Sequence, residues 1–151
     1  MLAADLSDVI ALWRTTKGLM LHVESDNETS LARFLERNPG LSFIAESKGQ
    51  IVGSVLCGHA GRHGFLHHLS VAPQFRRTGY ASDLLAAVLK SLAVQGITRC
   101  HVFTQPENQA AAKFWASTTA DQRPDLCVVT MALEASHRYP DPRQLKVFSY
   151  A

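Results

Sequence analysis

The stretch Arg76-Arg77-Thr78-Gly79-Tyr80-Ala81 has the residue types of an anion site. It lies between a strand that ends at Val71 and a helix that begins near Tyr80, an arrangement that aims several unpaired backbone N–H groups and the positive end of a helix dipole at one place. A phosphate is the natural occupant of such a place. Gly79 lets the backbone approach an anion without an intervening side chain, Ala81 keeps the first helical turn small, and Arg76 and Arg77 add positive charge. From these residues alone, a basic strand-to-helix turn that binds nothing would read the same. Neither a Walker pattern nor G-x-G-x-x-G occurs in the chain, which turns the reading away from ATP and dinucleotides.

Proton transfer is the second chemistry on offer. Seven histidines, His22, His59, His63, His67, His68, His101 and His137, invite a metal, and three of them, His59, His63 and His67, gather around one hairpin. A zinc pair at i, i+4 needs a helix, whereas His63 and His67 straddle a turn and a strand, and no His-Glu-x-x-His or paired-Cys motif accompanies them. No metal is expected. An imidazole with a pKa of about 6.5 is suited to accept a proton near neutrality. Strand alternation places His67 with Phe65, Leu69 and Val71, and His68 with Leu66 and Ser70 on the opposite face.

The elements that would position these groups follow from apolar periodicity. Asp5 or Ser7 caps a first helix carrying Val9, Ile10, Leu12 and Trp13. Ser30 to Glu36 reads as a second helix, stopped by Asn38-Pro39-Gly40. Leu41 to Glu46, Gln50 to Gly58 and Phe65 to Val71 form an antiparallel meander joined by Ser47-Lys48-Gly49 and by the Gly58 to Gly64 turn. Ser82 to Ala93 is the clearest helix, with Leu84, Leu85, Val88, Leu89 and Leu92 as its apolar stripe and Gly96 just past its end. Ile97 to Phe103 reads as a strand, Asn108 to Ser117 as a helix and Leu126 to Leu133 as a last strand. Strand, helix, strand at this spacing implies a right-handed parallel crossover, so the fold class is α/β with a mixed sheet.

Length and composition bound the rest. A chain of 151 residues with 46% hydrophobic content supports one core, hence one domain, 1–134, followed by a tail, 135–151, without clear periodicity. Fifteen Lys plus Arg against thirteen Asp plus Glu leave a net charge of +2, too slight to announce a nucleic acid or a membrane surface as partner. Cys57, Cys100 and Cys127 are odd in number and sit in apolar runs, which suggests buried thiols in a reducing compartment, the cytoplasm. No apolar run or leader-like segment suggests a membrane span or export.

Leu69-Ser70-Val71-Ala72-Pro73-Gln74-Phe75-Arg76-Arg77-Thr78-Gly79-Tyr80-Ala81 resembles motif A of the GNAT acetyltransferase superfamily: a strand, then Arg or Gln, two residues, Gly, one residue, Gly or Ala, then an amphipathic helix. Asn108-Gln109-Ala110-Ala111-Ala112-Lys113-Phe114-Trp115 resembles the N-x-x-A-x-x-F-Y element of the same family. Gly58 to Val71 is similar to G-H-D-G-R-R-G-x-x-Y-H-L-A-V, a run of small bacterial members of the YpeA-like type. The resemblance covers roughly residues 5 to 133.

It implies the GNAT fold, with the sheet splayed after Val71 and near Phe103, and acetyl-CoA as co-substrate. The amides of Arg77 to Ser82 would bind its pyrophosphate, the Leu69-Ser70-Val71 main chain would pair with the pantetheine amides, and Asn108 would meet the cofactor further along. Acetyl would pass by direct attack to a small-molecule or peptide amine, with the Leu69 or Val71 N–H stabilising the oxyanion. His67 would border the acceptor cleft as base or proton relay, or else merely line or pack it; the facing of His68 suggests a structural hydrogen bond. Trp115 stands where many relatives have Tyr, and an indole N–H cannot act as the acid. Trp115 would instead pack along the pantetheine arm, leaving water, His67 or Tyr80 to protonate the thiolate. The replaced Tyr keeps a CoA-binding sensor open as an alternative to the enzyme. Protein N-termini, polyamines, amino-acid-like metabolites and aminoglycosides all stay open as acceptors, the polycations disfavoured by the lack of an acidic patch. Only Met1 to Ala4 remain for the family's first strand, which is short or missing, its edge covered by the tail or by a second subunit in a homodimer.

Overall fold

The first helix, α1 (Leu6–Thr15), buries Leu6, Val9, Ile10, Leu12 and Trp13 along one side, the stripe its periodicity predicts. The structure, a computed structural model, describes residues 1–131. α2 (Glu28–Arg37) starts at Asn27, whose side chain accepts from the Ser30 amide at 3.0 Å, an N-cap worth about 1 kcal/mol. Three strands follow, β1 (Phe43–Ser47), β2 (Gln50–His59) and β3 (Gly64–Val71); then come α3 (Tyr80–Val94), β4 (Cys100–Val102) and α4 (Gln109–Ala116). The sheet order is β1-β2-β3-β4, antiparallel through β3 and parallel between β3 and β4.

Two clusters cover the two faces of this sheet. On one, Leu84, Val88 and Leu92 of α3 pack with Val55, Cys57, Leu66 and Val71. On the other, α1 and Leu31 of α2 pack with Leu56 and Ala72. Trp13, 1% exposed, donates its indole N–H to Ser54 Oγ at 2.8 Å, and Ser54 Oγ meets Ser70 Oγ at 3.1 Å. The hydroxyl pair is thereby satisfied inside an apolar layer, where an unmet polar group would cost about 1–3 kcal/mol.

Strand alternation fails at one residue. Ser54 pairs with Ser70 but Leu56 pairs with His67, so Val55 faces both His68 and Leu69, and His68 takes φ 49°. This is a β-bulge. It corrects the alternation of the sequence reading. His67 meets Phe34 of α2, His68 meets Trp13 of α1 and Ser70 meets Ser54, all on the α1–α2 side, whereas Leu66, Leu69 and Val71 pack on the α3 side. His67 and His68 thus share a face, and His67 is parted from Leu69 and Val71.

Other expectations shift at their ends. The strand expected from Ile97 shortens to Cys100–Val102 because the Ile97 amide closes the C-terminus of α3, donating to the Leu92 carbonyl at 3.0 Å. Among the described residues no strand precedes α1: Ala3–Asp5 form a single 3-10 turn, and the N-terminal ammonium donates to the Ser42 carbonyl at 3.1 Å. The strand expected over 126–133 is not formed through Met131, and its last two residues lie outside the described residues, as does the tail 135–151. Cys57 is buried and Cys100 half-buried, but Cys127 is exposed, against expectation.

The chain divides into a unit Met1–Ser117 and a unit Thr118–Ala151. In the second, Arg123 pairs with Asp125 at 2.6 Å, and that hydrogen bond pulls the Asp125 carboxyl down to about 2. Among the described residues no helix is long and apolar enough to cross a membrane.

Candidate active site

α3 begins at Gly79, whose φ of 99° and ψ of −23° are left-handed. Arg77, two residues earlier, also has a positive φ, 63°. Such angles in a non-glycine residue cost about 1–3 kcal/mol and gather at functional sites. Among the described residues, the amides of Arg77, Thr78, Gly79, Tyr80 and Ala81 meet no protein acceptor. The Ser82 amide donates to the Gly79 carbonyl at 2.9 Å, which narrows the expected run of free donors to residues 77–81. Arg76 is held by its Nε, which donates to the Val71 carbonyl at 3.1 Å, and Thr78 by its hydroxyl, which donates to the Phe75 carbonyl at 2.6 Å.

A cavity of about 820 Å³ opens beside this turn. It is lined by Leu69, Ser70, Val71, Arg76, Arg77, Gly79, Tyr80, Ala81, Ser82, Asn108 and Trp115, every cofactor-binding residue expected from the sequence except Thr78. The cavity follows from how the sheet opens. β3 and β4 pair only from Gly64 with Cys100 to Leu66 with Val102, so the splay starts after Leu66 rather than after Val71. From His67 to Val71 the outer edge of β3 has no strand beside it among the described residues. The Ala72 amide donates inward, to the Val52 carbonyl at 2.8 Å, and alternation therefore turns the Val71 amide outward, toward the gap.

Residues 7–118 match the model of the Acetyltransferase (GNAT) family. The chain belongs to the GNAT acetyltransferase family. An acetyltransferase of Pectobacterium atrosepticum is 35% identical over 106 residues, which are 70% of this chain and 74% of that one. One of Yersinia enterocolitica is 34% identical over 107 residues, 71% and 74% of the two chains. Among solved structures, AAC(6')-Iy in complex with the bisubstrate analogue CoA-S-monomethyl-acetylneamine has a TM-score of 0.68 at 24% identity, with 89% and 95% of the chains covered. Diaminobutyrate acetyltransferase EctA from Paenibacillus lautus, in complex with L-2,4-diaminobutyric acid and coenzyme A, has a TM-score of 0.64 at 25% identity, with 76% and 69% covered. This GNAT chain is an acetyl-CoA-dependent N-acetyltransferase.

Within the GNAT site, some side chains carry bonds that the sequence did not announce. Asn108 lines the cavity, but its Oδ1 accepts from the Ala111 amide at 3.0 Å and its Nδ2 donates to the Gly18 carbonyl at 3.0 Å. It caps α4 and ties that helix to the segment after α1. Trp115 lines the cavity and packs on the α3-side cluster. Lys17, Gly18, Leu19 and Lys113 also line the cavity and were missed. The Gly18–Asn108 bond spans 90 positions, and no local pattern announces it.

Neither His67 nor His68 is among the lining residues. His68 Nε2 lies 2.8 Å from Asp26 Oδ1, and the other carboxylate oxygen accepts from the His22 amide at 2.7 Å. Burial lowers the pKa of His67; His68 adds to that, and Asp26 opposes it. A histidine with a depressed folded pKa binds fewer protons than in the unfolded chain, so its stabilising contribution is whole above about 6.5 and falls away as pH drops through the folded value. Thermal unfolding from pH 8 to pH 5 should therefore show wild type losing more stability than His67→Gln. Parallel curves would contradict that burial.

Proposed function

We propose that this chain moves the acetyl group of acetyl-CoA to a primary amine by direct attack within a ternary complex. The observation that carries the reading is the set of unmet amides at residues 77–81 at the head of a 15-residue helix, beside Gly79 and a cavity of about 820 Å³. A diphosphate suits that set, because its oxygens accept several main-chain donors at once in the field of the helix N-terminus. Arg76 and Arg77 supply charge at the same wall. The edge of β3 beyond Leu66 can accept an extended amide-bearing chain as a missing strand would be accepted, and in this proposal the Val71 or Leu69 amide stabilises the oxyanion.

His67, which does not itself line the cavity, is the base or proton relay of this proposal, reached through water from the α1–α2 side, and its burial favours the neutral imidazole. Trp115 cannot protonate the departing thiolate, which leaves water, His67 or Tyr80. The three free cysteines support a reducing compartment, the cytoplasm.

Release of free thiol from acetyl-CoA in the presence of a panel of amines tests this reading. Turnover on at least one amine is expected, with His67→Ala lowering it by a factor on the order of 10 to 1,000 and His68→Ala acting chiefly on stability. CoA binding without turnover on any amine would show a binding module instead, and equal small effects of the two substitutions would remove His67 from the mechanism.

A further inference from the structure

The segment that leaves α1, residues 16–27, borders the cavity at its start and is a strap held near both ends. Near its start the Gly18 carbonyl accepts from Asn108 Nδ2 at 3.0 Å; near its end Asp26 holds His68 at 2.8 Å and the His22 amide at 2.7 Å. Thr16, Lys17, Gly18 and Leu19 line the cavity. The strap comes from α1, on the face of the sheet opposite α3. The phosphate turn belongs to the α3 side, so a thioester reaching into the gap from that turn leaves the α1 side for the incoming amine.

The charge of the cavity wall is one-sided. Lys17, Arg76, Arg77 and Lys113 line it, and among the described residues no Asp or Glu does. Arg76 and Arg77 sit in the phosphate turn and Lys113 on α4, but Lys17 stands on the strap, on the α1 side that the turn leaves open. Asp26, the strap carboxylate closest in sequence to α2, is already bonded to His68 and His22 and does not line the cavity. With Arg76 and Arg77 facing the cofactor's diphosphate, a polycationic acceptor would still meet Lys17, whereas an anionic group on the acceptor would meet an opposite charge there.

We propose that the acceptor is a small amine bearing a carboxylate and that Lys17, held in place by the strap, recognises that carboxylate. The proposal rests on the transferase reading above. It is tested with matched compounds, lysine, its carboxamide and 1,5-diaminopentane, which share an alkyl amine and differ in the carboxylate. Both turnover and calorimetric binding to the CoA-loaded protein are measured, for wild type, Lys17→Ala and Lys17→Glu. Wild type is expected to favour the carboxylate compound at least about tenfold in kcat/KM and in affinity; Lys17→Ala should bring the three within about threefold, and Lys17→Glu should favour the diamine.

The binding arm keeps this proposal separate from the reading it rests on. A Lys17-dependent preference in binding without turnover of any of the three would support the carboxylate site while counting against acetyl transfer to these amines. A preference for the diamine, no preference, or one that survives Lys17→Ala would overturn the carboxylate site. So would a fall in CoA affinity in Lys17→Ala with the acceptor preference intact, which would assign Lys17 to a cofactor phosphate.

Discussion

Gly79→Trp should weaken CoA binding at least about 100-fold, or roughly 2.8 kcal/mol at 1.4 kcal/mol per decade. Position 79 has φ 99°, and a Cβ built there meets only Asp83 Oδ2, at 3.9 Å. The protein leaves open space around the position, so a side chain there is obstructed chiefly by whatever binds at the helix start. Backbone strain of about 1–3 kcal/mol accompanies any non-glycine residue there. Gly79→Ala, carrying the same strain with a small side chain, is the control: it should lower stability as Gly79→Trp does but lose less CoA affinity. Calorimetric titration with CoA, alongside thermal unfolding, separates the two effects. An unchanged Kd in folded Gly79→Trp would refute the assignment of the turn.

Trp13→Ala should be the most damaging single truncation of the α1 side, at about 3–5 kcal/mol. Trp13 is 1% exposed, donates to Ser54 Oγ at 2.8 Å and meets the His68 ring edge-on at 4.6 Å between centroids. Its loss leaves a cavity and also strips the Ser54–Ser70 pair of its donor, so the two penalties overlap rather than add. Trp13→Phe keeps most of the volume and removes the N–H, and should cost about 1–2 kcal/mol. Ser70 lines the cofactor cavity and His68 anchors the strap, so acceptor KM should rise in Trp13→Phe even where the protein stays folded. Urea unfolding checks the stability effect; a loss below about 1 kcal/mol for Trp13→Ala would contradict the packing described.

The turn at 76–81 was legible because its signal is local. Arg76, Gly79 and Ala81 lie within one turn of backbone, and the helix they open carries an unbroken apolar stripe. The meander and crossover were legible for a similar reason, since alternation and turn residues are short-range signals. The bulge at His68 was not. It adds one residue without changing composition, and a histidine at positive φ is only a mild departure from preference; yet that residue decides the face of everything on either side of it. Asn108 shows another limit. It lines the cavity as expected, but its amide also bonds two protein groups, one of them 90 positions away, which no local pattern signals. The apolar run from Leu126 has strand-forming residues but forms no strand through Met131, because β propensity expresses itself only against a partner.

The most direct test of the account is a backbone amide NMR titration of the wild-type chain with CoA. The largest shifts are expected at Arg77, Thr78, Gly79, Tyr80 and Ala81, with Ser82, already bonded to Gly79, moving less. Saturable binding that leaves those five amides unmoved would contradict it.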